Sequence, residues 1–283
     1  MKNKMNVNWL RIGIGTFLMG GGFHLDINRD FADYSKDDEV IAAIKYSISL
    51  GQNHIDTAYS YSDGHSEELV GIAIKDTPRE SIFIADKLSK GHMLRNAVVP
   101  CVKKMLQRLG VSYLDLLYAH TANVPESIDE YILGMNDAVD AGLTRYIAVS
   151  NFDEQQLKQT MSISKHPIVA NQIQLNLVDR ERAPDSLLSF CNQNNIKVVA
   201  YQPLRNQVFF EKYDSERLQE IASKYNKTIA QISLNWLVNE KGVLVIPKAT
   251  QRQHIEENMQ SLDFKLRKEH VEFLSEYDTF IKK

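Results

Sequence analysis

The chain has two cysteines in 283 residues, Cys101 and Cys191. They lie far apart, each among apolar neighbours in a stretch that reads as helix, and neither sits in a local motif. That excludes a disulfide framework and a paired-thiol redox site, and it suits a reduced, cytoplasmic protein. Proline (7) and glycine (13) are too sparse to build a linker, so one domain over 1–283 is expected. No apolar run approaches the roughly 18 residues of a membrane span, and the first eight residues are too polar for a signal peptide. Nor is there an excess of positive charge. With 33 basic against 36 acidic residues the net charge is −3, which gives no footprint for nucleic acid. No metal-ligand spacing, low-complexity tract or solenoid repeat is present, and no metal is expected.

Hydrophobic residues make up 43% of the chain, enough for a sizeable core. Apolar runs of strand length recur at 10–16, 53–58, 82–87, 115–120, 146–150, 169–173, 198–204 and 243–248. Several are continuous, such as Val243-Leu-Val-Ile246, as suits parallel strands buried on both faces. Helical spacing fills the gaps. Val40, Ile41, Ile44 and Ile48 follow the acidic start at Asp37 and precede Gly51. Further helices are expected over 94–109 (with Pro100 as a potential kink), from Pro125 to near Gly142, and over 184–195, 216–226, 228–239 and 267–280. The 17–36 stretch reads as a long loop. Eight strands alternating with helices predict a (β/α)8 barrel. A doubly wound open sheet is the runner-up, but no G-x-G-x-x-G follows the first strand.

A barrel of this kind carries its site at the C-terminal ends of the strands. There the sequence sets Asp56, Lys87 and His120 on three successive strands, with Tyr61 five residues past Asp56. Alone, each residue has a bland reading as a helix cap, a solvated charge or a structural histidine. Together they would converge on one mouth. A free tyrosine is a poor acid at neutral pH, with a pKa of about 10. A neighbouring ammonium favours its ionised form. Lys87 could supply that charge, Asp56 could hold Lys87, and His120 could orient a carbonyl oxygen. A proton donor of this type needs a hydride source, and a nicotinamide cofactor is the natural candidate.

These residues resemble the aldo-keto reductase family. His54-Ile-Asp-Thr-Ala-Tyr-Ser-Tyr61 is similar to its Asp–Tyr segment, Ile82-Phe-Ile-Ala-Asp-Lys87 to its lysine strand, and Asp115-Leu-Leu-Tyr-Ala-His120 to its histidine strand. Ala148-Val-Ser-Asn-Phe152, Ala170-Asn-Gln-Ile173, Ala200-Tyr-Gln-Pro-Leu204 and Ile246-Pro-Lys-Ala-Thr250 follow in the family's order, and the likeness runs from about Leu10 to Asn258. The resemblance implies a (β/α)8 barrel that reduces an aldehyde or ketone to an alcohol by hydride transfer. In it Tyr61 is the general acid, Lys87 and Asp56 tune it, and His120 orients the substrate. It further implies that Ser150, Asn151 and Gln172 hold the nicotinamide amide and that Tyr201, beside Gln202, stacks on the ring. Leu204, Arg205 and Gln207 would approach the pyrophosphate. Lys248, Ala249, Thr250, Arg252, His254, Glu257 and Asn258 would surround the adenosine 2′-phosphate and adenine. NADPH is the expected cofactor, with NADH as the alternative.

The chain departs from the family pattern in places. His254 stands where many members have a phosphate-gripping arginine. Thr121-Ala-Asn123 replaces a Trp-Pro pair, which implies a roomier pocket, and Arg205 replaces a glycine. The 205–215 loop is short and implies fast cofactor release. Phe17, Met19 and Thr121 are expected at the substrate mouth. The protein is expected to be a monomer or weak homo-oligomer whose partner is a small carbonyl compound. The competing function is a cofactor-binding regulatory protein like the potassium-channel β subunits. Those carry an N-terminal extension, and the nine residues before the first strand favour the enzyme. A barrel hydrolase or lyase would need paired carboxylates or metal ligands beside these residues, and the sequence has neither.

Overall fold

The computed structural model describes residues 10–24, 29–89, 91–123, 127–205 and 216–277. Eight parallel strands form one sheet: β1 (Ile14–Gly15), β4 (His54–Asp56), β5 (Phe83–Leu88), β6 (Leu114–Ala119), β7 (Thr144–Ser150), β8 (Ile168–Gln174), β9 (Lys197–Tyr201) and β10 (Val243–Val245). They pair in chain order, as expected for strands joined by crossover helices. The first strand meets the last. Ile12 bridges Val245, and the Gly13 and Gly15 N–H groups donate to Val245 and Pro247 carbonyls at 2.8 and 3.1 Å. The sheet is thereby closed into the predicted (β/α)8 barrel.

Glycine makes that seam. A Cβ on Gly15 would lie 2.5 Å from the Ile246 carbonyl oxygen, so only hydrogen fits where β1 approaches the chain after β10. Both strands are shorter than the sequence suggests. β1 covers two residues of the expected 10–16, and β10 ends at Val245 rather than Lys248.

The helices are α1 (Asp37–Ser49), α2 (His65–Ile74), α3 (Arg95–Leu109), α4 (Ile128–Asp140), α5 (Glu154–Ile163), α6 (Asp185–Gln193), α7 (Glu216–Tyr225), α8 (Ile229–Asn239), α9 (Arg252–Gln260) and α10 (Lys268–Ser275). Helix α3 runs on through Pro100, which is exposed, so the carbonyl it leaves unpaired faces water. Helix α4 begins after Ser127, whose hydroxyl caps Glu130 N–H, rather than at Pro125, which lies outside the described residues. Helix α10 is interrupted after Ser275, and the last three residues of the expected helix, 278–280, lie outside the described residues. The capping box of α5, Asp153 with Gln156, could have been read from the sequence and was not.

One element replaces an expected loop. Within 17–36 the chain forms an antiparallel hairpin, β2 (Gly21–His24) with β3 (Arg29–Ala32), which lies against the Tyr61 turn. A Cβ on Gly21 would meet the Phe31 carbonyl at 2.0 Å and Ser62 Oγ at 2.3 Å. The close approach therefore depends on that glycine.

Candidate active site

Strand alternation explains which side chains enter the barrel. One buried cluster, separate from the helix-facing core, contains Ala85, Leu116, Tyr118, Ala148, Ala170, Val199, Leu244 and Ile246, with Phe83, Tyr146 and Tyr201 against it. Counting in twos up the strands from these residues gives Lys87, His120, Ser150 and Gln172 as the inward residues of the uppermost layer.

Lys87 is fully buried. Its ammonium donates to Asp56 Oδ1 at 2.5 Å and to the Thr57 carbonyl at 2.7 Å. Gln172 Nε2 donates to the other Asp56 oxygen at 2.7 Å, so both oxygens of this buried carboxylate are satisfied. Burial opposes the charge on Lys87. The Asp56 and Tyr61 side chains outweigh it and hold the lysine above its ordinary value.

Tyr61 leads the turn that follows β4. Its N–H closes the turn onto the Ala58 carbonyl at 3.0 Å, and Ser62 and Asp63 after it both take positive φ (51° and 56°). Lys87 Nζ lies 4.9 Å from the Tyr61 ring centroid. The ring is edge-on to His120 at 5.8 Å and to Phe17 at 5.1 Å. Burial first, and the Lys87 charge second, push the His120 pKa down to about 3. The imidazole is therefore neutral at physiological pH and offers one N–H donor. Sequence reasoning passed over Tyr118, a buried ring 6.0 Å below the Lys87 ammonium, although its even spacing from His120 was a usable signal.

The other candidate residues form two groups. Ser150 Oγ donates to the Gln172 carbonyl (2.9 Å) and receives Asn151 Nδ2 (3.1 Å), while the Tyr201 hydroxyl donates to Asn151 Oδ1 (3.0 Å). Asn151, Gln202 and Arg205 all have positive φ (61°, 49° and 46°), so both strand ends turn sharply at the rim. Leu204 packs on the core and Arg205 is exposed. Gln207 and most of the 205–215 loop lie outside the described residues.

The second group follows β10. Ala249 and Thr250 lead into α9, where Arg252 stacks over the Tyr46 ring at 4.7 Å, His254 is exposed, Glu257 is half-buried and Asn258 is buried. Lys248 reaches the Leu18 carbonyl at 3.5 Å. Crowding by protein, and then the charge of Lys36, hold it below its ordinary value.

At the mouth, Phe17 is 37% exposed and Thr121 accepts the Asn123 N–H at 3.1 Å. Met19 does not line the mouth. It is 1% exposed and packed in the core, because the chain turns inward at Thr16 and Ser66 binds the Met19 carbonyl. Among the described residues no cluster of metal-ligand side chains occurs, and no helix is long and apolar enough to cross a membrane.

The model of the aldo/keto reductase family matches residues 11–278. The chain belongs to the aldo/keto reductase family. It is thus an NAD(P)H-dependent carbonyl reductase in class. An aldo-keto reductase of Bombyx mori, AKR2E4, is 34% identical over 262 residues, 85% of this chain and 83% of that one. The thermostable aldo-keto reductase Tm1743, solved with the inhibitor epalrestat, superimposes with a TM-score of 0.89 at 38% identity and covers 98% of this chain and 97% of its own. An aldo/keto reductase from Klebsiella pneumoniae, solved with NADP and acetate, gives a TM-score of 0.81 at 29% identity, with 95% and 91% covered.

Proposed function

We propose that this reductase turns an aldehyde or ketone into an alcohol at the upper mouth of a single barrel domain, with NADPH as its cofactor and Tyr61 as its acid. The observation that carries the reading is the Asp56–Lys87 pair sealed beneath the Tyr61 ring. When bound, the nicotinamide supplies hydride. Tyr61 donates its phenolic proton to the carbonyl oxygen as charge develops there. Lys87 makes that transfer easier because its ammonium stabilises the phenolate left behind. Asp56 keeps Lys87 charged and in place, and Gln172 fixes Asp56. Neutral His120 donates a hydrogen bond that aims the carbonyl oxygen at Tyr61.

The residues after β10 suit a phosphorylated dinucleotide. Lys248 and Arg252 form no ion pair with a carboxylate among the described residues, and cationic groups of this kind fit a 2′-phosphate. The ring of Tyr201 and the amide of Asn151 suit a nicotinamide.

The test follows NADPH and NADH consumption with a panel of aldehydes, ketones and quinones. NADPH should be preferred, and Lys248→Met should raise the KM for NADPH about tenfold, equivalent to one charge-assisted hydrogen bond, while barely moving that for NADH. An equal change for both cofactors would remove the phosphate from Lys248.

A further inference from the structure

The residue before Lys87 faces the other way. Alternation sends Ala85 and Lys87 into the barrel and Asp86 outward against α2 and α3. Asp86 is completely buried there, and so is Glu67 of α2. Among the described residues one cation touches the pair: Arg108 Nη1 donates to Glu67 Oε2 at 2.6 Å. The Lys87 backbone N–H donates to Asp86 Oδ1 at 2.7 Å. The remaining oxygens, Asp86 Oδ2 and Glu67 Oε1, are buried and meet no donor among the described residues, and each carboxyl acts on the charge of the other. Ionised carboxylates only accept hydrogen bonds, so two buried carboxyl oxygens left without a donor favour a proton on one of them. Two buried negative charges against one guanidinium would also be costly.

We propose that Asp86 and Glu67 share one proton at neutral pH, held as the carboxylic acid of Asp86, and that this pair is a positioning element setting the charge behind Lys87 and Tyr61. In that state Glu67 and Arg108 cancel, Asp86 is neutral, and Lys87 answers to Asp56 alone. When alkali removes the proton, the Asp86 O–H bond breaks, the proton passes to water and the cluster gains one negative charge. That charge favours the Lys87 ammonium and disfavours a phenolate at Tyr61.

The surroundings agree. Burial, then the Glu67 charge, raise Asp86 far above the ordinary carboxylate range, against the pull of Lys87. Burial raises Glu67 too, although Arg108 draws it back. The other groups facing the cluster are Glu68 on α2, Lys104 and Cys101 on α3, and Tyr59, whose ring lies 4.6 Å under Arg108. The Cys101 thiol, pushed up to about 12 by burial and by these carboxylates, stays neutral.

The inference rests on Tyr61 as the acid, but its first test does not. Infrared spectroscopy of the whole protein at neutral pH should show a protonated-carboxyl C=O band that is absent from Asp86→Asn. If no such band is present, the shared proton is overturned, whatever the enzyme reduces. The second test is the pH profile of carbonyl reduction. Asp86→Asn mimics the neutral acid permanently. It should keep neutral-pH activity and move the alkaline limb down by roughly half to one unit. Glu67→Gln removes the second carboxylate, so Asp86 no longer keeps the proton and the same infrared band should be lost. An alkaline limb that stays in place or moves up in Asp86→Asn would overturn the tuning role. Glu67→Gln also strips Arg108 of its partner, so if it does not fold, the Asp86→Asn limb alone decides.

Discussion

An ammonium shut away from water is tolerated only when its partners are close and complete, because desolvation costs several kcal/mol per ion. Lys87 meets that condition through Asp56 and Thr57, and Gln172 completes Asp56 from across the barrel. These residues were legible from the sequence because inward positions recur every second residue and the site sits where the strands end. Gln172 was read as an amide ligand, and its bond to Asp56 needed the fold. Met19 was misread because nothing in a sequence tells a rim residue from one that turns inward. Histidine gives a prediction at this scale. His54, buried at the inner end of β4, has its pKa pushed down to about 4, chiefly by burial. The folded value lies below the unfolded value of about 6.5, so the unfolded chain binds the extra proton between them. Stability is then complete above about 6.5 and lost as pH falls toward 4, by up to about 3 kcal/mol. His120 adds to the loss in the same direction. Melting temperature should drop steeply from neutral pH down to about 4, and His54→Asn should flatten that slope. An unchanged slope would mean that His54 does not stay neutral in the fold.

Among the elements, the strands and most helices could be read from periodicity, but their ends were set by tertiary contacts. At the seam between β1 and β10 two backbones approach closely, and Gly15 permits it. Gly15→Ala should therefore destabilise the protein by about 1–3 kcal/mol, seen as a lower urea midpoint with an unchanged slope. A midpoint equal to that of the parent would show that the seam accepts a methyl group. The β2–β3 hairpin escaped sequence reading for a related reason. Its strands are four residues each, and what defines them is contact with the Tyr61 turn at Gly21 rather than a pattern of their own.

Over the whole molecule, closure of the barrel brings residues from β4 to β9, 145 positions apart between Asp56 and Tyr201, to one rim. The fold class and the set of strand-end residues followed from the alternation of strands and helices and from the family resemblance. The rim loops did not follow, because no repeating burial pattern constrains them. The central claim concerns one hydroxyl group. Tyr61→Phe keeps the ring against Phe17 and His120 and removes only the proton donor. The direct measurement compares NADPH consumption by this variant and its parent on a carbonyl substrate, with NADPH binding followed by fluorescence. The account predicts that turnover falls at least about a hundredfold while NADPH binding is nearly unchanged. Full activity in Tyr61→Phe would contradict it.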